Sequence, residues 1–468
     1  MAKLYSVEIL AALSLLQVTG SSISQTPTNI IKSTIPASNG MDNPAVFIKE
    51  ENKYQMGVRS MNNPAIFINE VEKYQKGLRK SEVCYPSVGC FSWKYPWTSV
   101  HRPFPAPWSP TTISPTISLF TRSSGPYNIH LQDSYWSLRG SNFNPHREVT
   151  VVMTHGFSAS GEEEWLSEMV VAYLKNKDAN AFILDWGKGA TTINYLQVAS
   201  NTRVVGAVLA RFLRYLINRG LRTEKIHLIG HSLGSHIMSY CAKDIAEISK
   251  VKRITGLDPA QPGFQGTPAT VRLDPSDAEE VDVIHTDARL FIPFFGFGML
   301  TPVGTVDFYM NGGSSQPGCL EVPKPNITSN VDLVKYPVEV ITDWVSCSHG
   351  RSHEYFIAAL TETDCSFVGR KVLKAQTHLK YTILGTVIWS DPIVKDLNHC
   401  TLETCNLVGL NTFLIPARGV FTVTTTGTPP YCDETARRST NLIDRLTSRF
   451  SKFISRTFRR FIDSILGI

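Results

Sequence analysis

Short apolar runs alternate through the middle of the chain with segments whose apolar positions recur at helical spacing. The runs that read as strands are apolar almost throughout: 148–155, 181–186, 226–229, 253–257 and 281–285. Between two of them, apolar side chains from Val204 to Ile217 recur every three or four residues, which predicts an amphipathic helix. Apolar strands that alternate with helices are typical of a parallel sheet covered on both faces. The pattern therefore predicts an α/β fold with a mostly parallel central sheet.

The start of the chain does not follow this pattern. Lys3 precedes an apolar run from Ile9 to Val18 and then small residues, which predicts a secretory signal peptide over residues 1–20. A membrane anchor, the alternative, needs roughly 20 apolar residues, and the chain turns polar after Val18. We therefore expect a secreted, extracellular protein.

Residues 21–80 read as a linker or pro-segment. A stretch rich in Ser, Thr and Asn comes first, and residues 41–48 are then repeated closely as residues 61–68. Two copies are too few for a solenoid, so a duplicated segment within a linker is the preferred interpretation.

The last stretch, residues 433–468, carries an apolar stripe at helical spacing with Arg and Lys over the remaining surface. A basic amphipathic helix with an aromatic face is typical of an element that lies on an anionic lipid surface. The alternative, which the sequence supports equally, is a helix packed on its own protein or on a partner.

Composition narrows the possible functions. With 468 residues, 42% of them hydrophobic and 18% charged, the chain can hold a full α/β core plus smaller units. The net charge of +6 is mild and lies largely near the C-terminus, which argues against a nucleic-acid-binding body. No nucleic-acid partner is expected.

Nine cysteines in a secreted chain predict disulfides with one thiol left over. Cys84 and Cys90 are close enough to close a small loop, and Cys319 and Cys347 bracket a longer segment. Cys241 is expected to be a buried free thiol. The sequence does not pair the remaining four cysteines: Cys365, Cys400, Cys405 and Cys432.

One apolar run ends abruptly in Gly230-x-Ser232-x-Gly234, and the residues after it read as a helix. A strand, a sharp turn and a helix around this motif predict a nucleophile elbow. The turn crowds its own backbone, so the positions two before and two after the serine need glycine. The alternative is a glycine-rich turn with a solvated serine, and the strand–helix setting favours the elbow.

A serine hydroxyl needs a base to take its proton and a carboxylate to orient that base. After Ser232, Asp258 is the first suitable carboxylate beyond a strand, with Asp287 as its rival; an ordinary turn aspartate is the alternative for Asp258. For the base, His349 competes with His353. Their i,i+4 spacing also occurs in zinc sites, but the glutamate of a His-Glu-x-x-His site is absent, so the metal interpretation has little support.

The negative oxygen of a tetrahedral intermediate needs backbone N–H donors. The amide of Leu233, directly after the serine, is the first candidate. Phe157, which follows the strand ending at Thr154, supplies the second.

These motifs together resemble the animal pancreatic lipase family, and the matching segments run in order over roughly residues 81–355. They are 82–92, 107–110, 155–166, 230–234, 254–268, 271–277, 281–287, 307–313 and 347–352. The resemblance implies an α/β-hydrolase fold for a lipase domain over residues 81–361.

The resemblance also assigns roles within the site. It implies Ser232, Asp258 and His349 as the catalytic triad, in preference to the two rivals. It implies the amides of Phe157 and Leu233 as the oxyanion hole.

A structural calcium is implied as well. Its ligands would be the carbonyls of Ala269 and Arg272 and the carboxylates of Asp274 and Asp277. Ala269 stands where the family has an acidic residue, which matters little if only its carbonyl binds. Ligation by oxygen alone suits calcium, and the alternative is a charged turn without metal. No organic cofactor is implied.

The segment from Cys319 to Cys347 corresponds to the lid loop of the family, here at full length, and the Cys84–Cys90 pair lies in a matching segment. After Thr361 the resemblance ends. Residues 362–432 are too short for the C-terminal β-sandwich that contacts a protein cofactor in typical relatives. This departure argues against dependence on a protein cofactor.

We therefore expect a secreted serine esterase that hydrolyses acyl ester bonds of glycerolipids at a membrane, emulsion or lipoprotein surface. The full lid favours triacylglycerol lipase activity, because relatives with strong phospholipase activity often have shortened lids. Phospholipase A1 or galactolipase activity is the alternative. The rival of a different class is a non-catalytic, lipid-binding relative of the yolk-protein type, which an organophosphorus reagent would fail to label at Ser232.

Overall fold

The structure is a computed structural model of the chain. It describes residues 81–99, 102–131, 136–192, 194–289, 296–319, 338–362, 366–372, 375–376, 388–389 and 399–432. The predicted signal peptide, the linker with its repeat, the C-terminal amphipathic helix and most of the predicted lid lie outside these residues. Within the described ranges, no helix is both long enough and apolar enough to cross a membrane.

Most strands of the described residues belong to one sheet. The strands in chain order are β1 (Glu82–Tyr85), β2 (Gly89–Ser92), β3 (Thr116–Thr121), β4 (Ser124–His130), β5 (Val149–Thr154), β6 (Ala179–Asp185), β7 (Ile226–His231), β8 (Val251–Leu257), β9 (Ala278–His285), β10 (Val306–Met310), β11 (Val368–Lys371), β12 (Ala375–Gln376), β13 (Ile388–Trp389), β14 (Cys405–Leu407) and β15 (Gly419–Val423). β1 pairs with β2 and β12 with β13, and the others form an eleven-stranded sheet in the order β14-β11-β15-β10-β9-β8-β7-β5-β6-β3-β4.

The neighbours from β15 to β6 are parallel, and antiparallel strands stand at both edges of the sheet. Strands buried on both faces read as continuous apolar runs, and the burial of β5, β6, β7 and β9 follows that rule. The predicted α/β class with a mostly parallel sheet is therefore confirmed.

Helices cover both faces of this sheet. Within the described residues they are α1 (Pro110–Ile113), α2 (Glu164–Asn176), α3 (Gly187–Ala190), α4 (Tyr195–Ile217), α5 (Leu233–Ile245) and α6 (Val338–Thr361). Ala181 of β6 lies in a buried core with residues of α2 and α6. The next residue, Phe182, points to the opposite face and packs against Phe212 of α4, with 5.7 Å between the ring centroids.

α4 and α5 pack closely along each other because Gly206 carries no side chain. A Cβ at Gly206 would lie 2.7 Å from Cβ of Tyr240 and 3.0 Å from the carbonyl oxygen of Ile237. The helix that follows Ser232 is thereby held against the sheet by α4.

The segment after residue 361 extends the sheet. β15 pairs in parallel with β10, from Val306 opposite Gly419 to Met310 opposite Val423. β11 and β14 follow in antiparallel order. Without these strands β10 would be an open edge with unpaired N–H and C=O groups. Residues 362–432, the segment after the resemblance ends, thus supply three strands of this sheet, which continues past residue 361.

Three disulfides join described cysteines: Cys84–Cys90, Cys319–Cys347 and Cys400–Cys405. Cys241 of α5 is a buried free thiol, as the sequence predicts. Burial raises the pKa of this thiol well above its usual value, so Cys241 is a poor candidate for a nucleophile.

Candidate active site

Ser232 lies at the corner between β7 and α5 in a conformation that residues other than glycine rarely adopt. Its φ is 56° and its ψ is −121°, and its amide donates to the carbonyl of Leu257 at 2.9 Å. A Cβ on Gly230 would lie 2.3 Å from the carbonyl carbon of Gly234, and one on Gly234 would lie 2.8 Å from the carbonyl oxygen of His155. The turn therefore requires both glycines. Backbone strain of this kind is concentrated at functional sites.

Asp258 and His349 are in direct contact. Asp258 follows β8 with no exposed surface, and its Oδ2 accepts a hydrogen bond from Nδ1 of His349 at 2.6 Å. Its Oδ1 accepts from the amides of Thr286 at 2.9 Å and Asp287 at 3.2 Å. Because a hydrogen bond to a negative charge is strong, these three donors hold the carboxylate in one orientation.

The loop after β9 packs directly on the carboxylate of Asp258. A Cβ on Gly298 would lie 2.2 Å from Oδ1 of Asp258 and 2.6 Å from its Cγ. The amide of Gly298 donates to the carbonyl of Asp287 at 3.1 Å, which holds the loop there. Only glycine fits at this point without moving the carboxylate.

Asp287, the rival carboxylate, has a different set of partners. Its Oδ1 accepts from Nε of Arg289 at 3.0 Å, and its Oδ2 accepts from the amide of Phe297 at 3.0 Å. Burial raises the pKa of Asp287 to about 7, although the guanidinium of Arg289 opposes the rise. Asp287 therefore supports the loop on which Gly298 lies.

The atoms of Asp258, Asp287 and His349 approach one another closely enough, within 4.8 Å, to ligate one metal ion. However, Asp258 and His349 are already hydrogen-bonded to each other, and Asp287 is paired with Arg289. The contacts of the cluster are therefore those of a hydrogen-bonded pair, Asp258 and His349, beside a second carboxylate that is paired with Arg289.

His353, the rival base, lies one turn of α6 beyond His349 and faces an aromatic ring. It stacks on Trp165 with 4.5 Å between centroids. Its Nδ1 is buried without a hydrogen-bond partner among the described residues. Burial, with the nearby His349, lowers the pKa of His353 to about 3. His353 is therefore neutral near pH 7, and within the described ranges no carboxylate is hydrogen-bonded to its ring.

A third histidine, His231, also lies next to His349. The ring of His231, the residue before Ser232, lies 4.6 Å from the ring of His349, and its Nε2 lies 3.3 Å from the His349 carbonyl oxygen. Burial lowers the pKa of His231 well below its usual value, and the nearby charge of His349 adds to this. In the Gly-x-Ser-x-Gly motif His231 is an unspecified position, so the motif does not predict its contact with His349.

Residues 156–157 pass beside the side chain of Ser232. A Cβ on Gly156 would lie 2.7 Å from Cβ of Ser232 and 3.2 Å from its Oγ. Leu233 is the first residue of α5, so its amide is one of the unpaired donors at a helix N-terminus. The backbone at Gly156 and at Leu233 thus flanks Ser232, and the assignment of the amides of Phe157 and Leu233 as oxyanion donors stays a prediction.

Two of the four predicted calcium ligands contact an ammonium group of the chain. Nζ of Lys243 lies 2.6 Å from Oδ1 and 2.7 Å from Oδ2 of Asp277, and 2.9 Å from the carbonyl oxygen of Arg272. Asp274 instead caps the short helix Pro275–Asp277, accepting from the amide of Ser276 at 3.1 Å. The donor atoms are of the type that calcium prefers, but two of the predicted ligands already bind a cation of the chain itself. With Lys243 in this position, the residues present do not fit calcium.

The sequence does not predict how two residues contact the site. Trp165 lies in the matching segment 155–166, but its stacking on His353 joins distant parts of the chain, as does the approach of Gly298 to Asp258. The ring of Phe297 also lies near the site, 5.9 Å from that of His349.

A mostly parallel sheet with a serine at a strand–turn–helix corner, followed along the chain by a paired Asp and His, defines the α/β-hydrolase class. The chain also belongs to the Lipase family, whose sequence profile matches residues 81–381. The predicted fold class and family are thereby confirmed.

Curated relatives agree with this assignment. Pancreatic triacylglycerol lipase of Myocastor coypus is 44% identical over 60% of this chain and 60% of its own length. Pancreatic lipase-related protein 2 of Sus scrofa is 42% identical over 62% of this chain and 61% of its own length. The chain thus spans about 60% of the length of these relatives. Among solved structures, esterase PE8 aligns with 30% of this chain and 69% of its own at 18% identity and a TM-score of 0.24, a likeness too low to bear on the site.

Proposed function

We propose that the chain is a secreted serine esterase that hydrolyses acyl ester bonds of glycerolipids, with triacylglycerol as the favoured substrate. The observation that carries the proposal is the 2.6 Å contact between Nδ1 of His349 and Oδ2 of Asp258. Both residues follow Ser232 in the order that α/β-hydrolases use. The strained corner at Ser232 gives further support.

In the proposed acylation step, Asp258 holds the Nδ1–H of His349, so Nε2 is the basic ring nitrogen. Nε2 takes the proton of Ser232 Oγ while this oxygen attacks the carbonyl carbon of the ester. The negative charge that develops on the carbonyl oxygen is stabilised by the amides of Leu233 and Phe157. When the ester C–O bond breaks, His349 returns the proton to the departing alcohol.

Deacylation repeats the same chemistry with water. His349 takes a proton from a water molecule, whose oxygen attacks the acyl carbon bound to Ser232. The acyl–oxygen bond to Ser232 breaks, the fatty acid leaves, and His349 gives the proton back to Ser232 Oγ.

The two histidines beside His349 are neutral near pH 7. Burial lowers the pKa of both neighbouring histidines, His231 and His353, whereas His349 has the buried carboxylate of Asp258 as its partner. A positive charge is stabilised beside a fixed negative charge. Two neutral neighbours also avoid repelling the imidazolium that forms during the reaction.

The preference for triacylglycerol rests on two supports. The similar proteins include pancreatic triacylglycerol lipases. The predicted lid is of full length, and the disulfide Cys319–Cys347 closes its base. The partner of the protein would accordingly be a lipid surface, without an organic cofactor.

Labelling with an organophosphorus ester tests the esterase proposal. Pure protein should gain one covalent adduct on the peptide that contains Ser232, and Ser232→Ala should abolish it. His349→Ala should slow labelling strongly because the serine loses its base. A folded protein that stays unlabelled in the presence of detergent or lipid would contradict the proposal and favour a non-catalytic lipid-binding protein.

Substrate class needs a second measurement. Release of fatty acid from triolein should exceed release from phosphatidylcholine or a galactolipid at equal interfacial area. The reverse order would replace triacylglycerol by a phospholipid or galactolipid while leaving the esterase proposal intact.

Secretion has its own support and test. Disulfides form and persist mainly in oxidising compartments, and the described residues contain three of them. N-terminal sequencing of protein collected from the medium of expressing cells should find a start near residue 21. Retention of the intact N-terminus inside the cells would contradict this part of the proposal.

A further inference from the structure

One face of α5, the helix that begins beside Ser232, makes polar contacts with the loop 271–277. The contacting residues are His236, Ser239, Tyr240 and Lys243, which recur at the i, i+3, i+4 and i+7 spacing of a single helix face. This polar seam, defined by these four residues, ties the loop to the helix that carries the predicted oxyanion donor Leu233.

The seam begins with backbone groups of the loop. Nδ1 of His236 accepts from the amide of Leu273 at 3.1 Å, and the hydroxyl of Tyr240 donates to the carbonyl of Val271. Ser239 Oγ lies 3.1 Å from the carbonyl oxygen of Arg272. The loop is therefore in contact with α5 over two helical turns.

Lys243 is the last residue of the seam, and its ammonium group contacts a cluster of oxygen atoms. Its Nζ lies within 3 Å of four oxygen atoms: Ser239 Oγ at 2.6 Å, Arg272 O at 2.9 Å, and both carboxylate oxygens of Asp277 at 2.6 and 2.7 Å. Asp277 Oδ2 also accepts from Ser239 Oγ at 2.7 Å and from the amide of Asp274 at 3.0 Å.

Charge explains why a cation is needed here. The side chain of Asp277 is 1% exposed, and a buried carboxylate is costly unless a positive charge compensates it. The neighbouring Arg272 directs its guanidinium to Asp274 and to the carbonyls of Thr267 and Leu273 instead. Lys243 is therefore the cation that compensates Asp277.

We propose that the ammonium of Lys243 replaces a divalent cation at the oxygen cluster formed by Ser239, Arg272 and Asp277, so that the fold does not depend on calcium. Lys243 and a calcium ion cannot share this place, because both need the carboxylate of Asp277 and the carbonyl of Arg272. Removing the ammonium exposes a set of hard oxygen donors that suits calcium. A variant without Lys243 acquires calcium-dependent stability.

Thermal unfolding and calcium binding of the purified full chain test this. The unfolding temperature of the wild type should be the same in EGTA and in millimolar CaCl₂, and equilibrium dialysis with radioactive calcium should detect no bound ion. Lys243→Gln should unfold several degrees lower in EGTA, recover most of that loss with CaCl₂, and bind one calcium per chain. Binding to the folded state alone produces such a concentration-dependent rise.

Lys252→Gln is the matched control. Lys252 pairs with Glu279 and Glu280, and its side chain is 41% exposed, so its loss should change stability little and create no response to calcium. Lys243→Arg keeps the charge and should stay indifferent to calcium; it also remains informative if Lys243→Gln fails to fold.

Two results would overturn the proposal. One is a wild type that binds calcium with a rise in its unfolding temperature. The other is a folded Lys243→Gln protein that neither binds calcium nor gains stability from it. Neither readout depends on esterase activity, so the outcome is independent of the proposed function.

Discussion

Asp258 has no exposed surface, and both of its carboxylate oxygens accept hydrogen bonds. The ring of His349 is therefore fixed through Nδ1 to a group that is itself fixed by the backbone amides of residues 286 and 287. The contact that defines the site is the hydrogen bond from Nδ1 of His349 to Oδ2 of Asp258. Replacing one carboxylate oxygen of Asp258 by an amide nitrogen should disturb the orientation of the His349 ring while leaving the fold intact.

Asp258→Asn makes that change. An amide nitrogen near Nδ1 favours the wrong tautomer of His349, and the analogous change in serine proteases lowers kcat by roughly 10⁴-fold. We expect a loss of similar size in kcat on a soluble short-chain ester, with an unfolding temperature close to that of the wild type. A loss below tenfold in the folded variant would remove Asp258 from the proposed triad.

The pH dependence of stability can be attributed in part to His353. Its pKa in the folded protein is about 3, against 6.5 for an ordinary histidine, so the unfolded chain binds more protons at pH values between these two. Stability should therefore fall as the pH falls from 6.5 towards 3, and the contribution of this one group is about 2 kcal/mol at pH 5.

His353→Phe keeps the ring against Trp165 and removes the buried titratable nitrogen. Urea unfolding at pH 7 and pH 5 should show a smaller difference for this variant than for the wild type. His146→Gln, a change at an exposed histidine, is the control and should leave the difference unchanged. An unaltered pH response of His353→Phe would contradict the attribution.

At the scale of elements, the loop between β9 and β10 serves the site through one close approach. Gly298 passes 2.2 Å from Oδ1 of Asp258, measured from the position that a Cβ would take. A methyl group there has to displace the carboxylate from His349. The loop is held by Asp287 through the amide of Phe297.

Gly298→Ala should therefore lower kcat on the order of 10²-fold, since a displacement of about 1 Å at a catalytic group has an effect of that size. Gly350→Ala is the matched control, because this glycine is adjacent to His349 but its Cβ would meet only the ring of His353 at 3.3 Å. Its activity should stay near that of the wild type. Equal losses in both variants would contradict a specific contact at Gly298.

A second prediction concerns the contribution of the C-terminal strands β11, β14 and β15 to folding. β15 is the parallel neighbour of β10, and Phe421 packs against Phe308 with 5.7 Å between centroids. A chain that ends at Thr361 exposes the edge of β10 and its apolar face, so it should be recovered only as aggregate. Soluble, folded protein from that chain would show that the strands are dispensable.

In the whole molecule, the hydrolase domain is followed in the sequence by a basic amphipathic segment, residues 433–468, which lies outside the described residues. The segment carries an apolar stripe and several Arg and Lys residues. Affinity for an anionic surface grows with both features. We propose that it anchors the enzyme at a lipid interface.

A chain that ends at Cys432 tests this role. It should lose much of its binding to anionic vesicles, and less to zwitterionic ones, while hydrolysing a soluble short-chain ester at the rate of the full chain. Vesicle sedimentation and the soluble assay measure the two properties separately. Unchanged vesicle binding would exclude the anchor and favour a helix packed on protein.

The sequence alone was sufficient where the determinants are local. The elbow at Ser232 shows itself in a local motif, and a Cβ on Gly230 would meet the backbone of Gly234 within the same turn. The parallel sheet depends on apolar runs that are each a single strand. The choice of Asp258 over Asp287 needed the family resemblance, because both aspartates follow a strand and spacing cannot separate them.

Only the tertiary structure decided the contacts that join distant parts of the chain. β14 is only three residues long, and it becomes a strand because β11 offers it an edge. Gly298 matters because the loop after β9 folds back onto Asp258. Two of the predicted calcium ligands, Arg272 and Asp277, contact Lys243, which lies on α5 and outside the matching motif. Burial of Asp277 demands a cation, but only the packing of α5 against the loop 271–277 determines that the chain supplies its own.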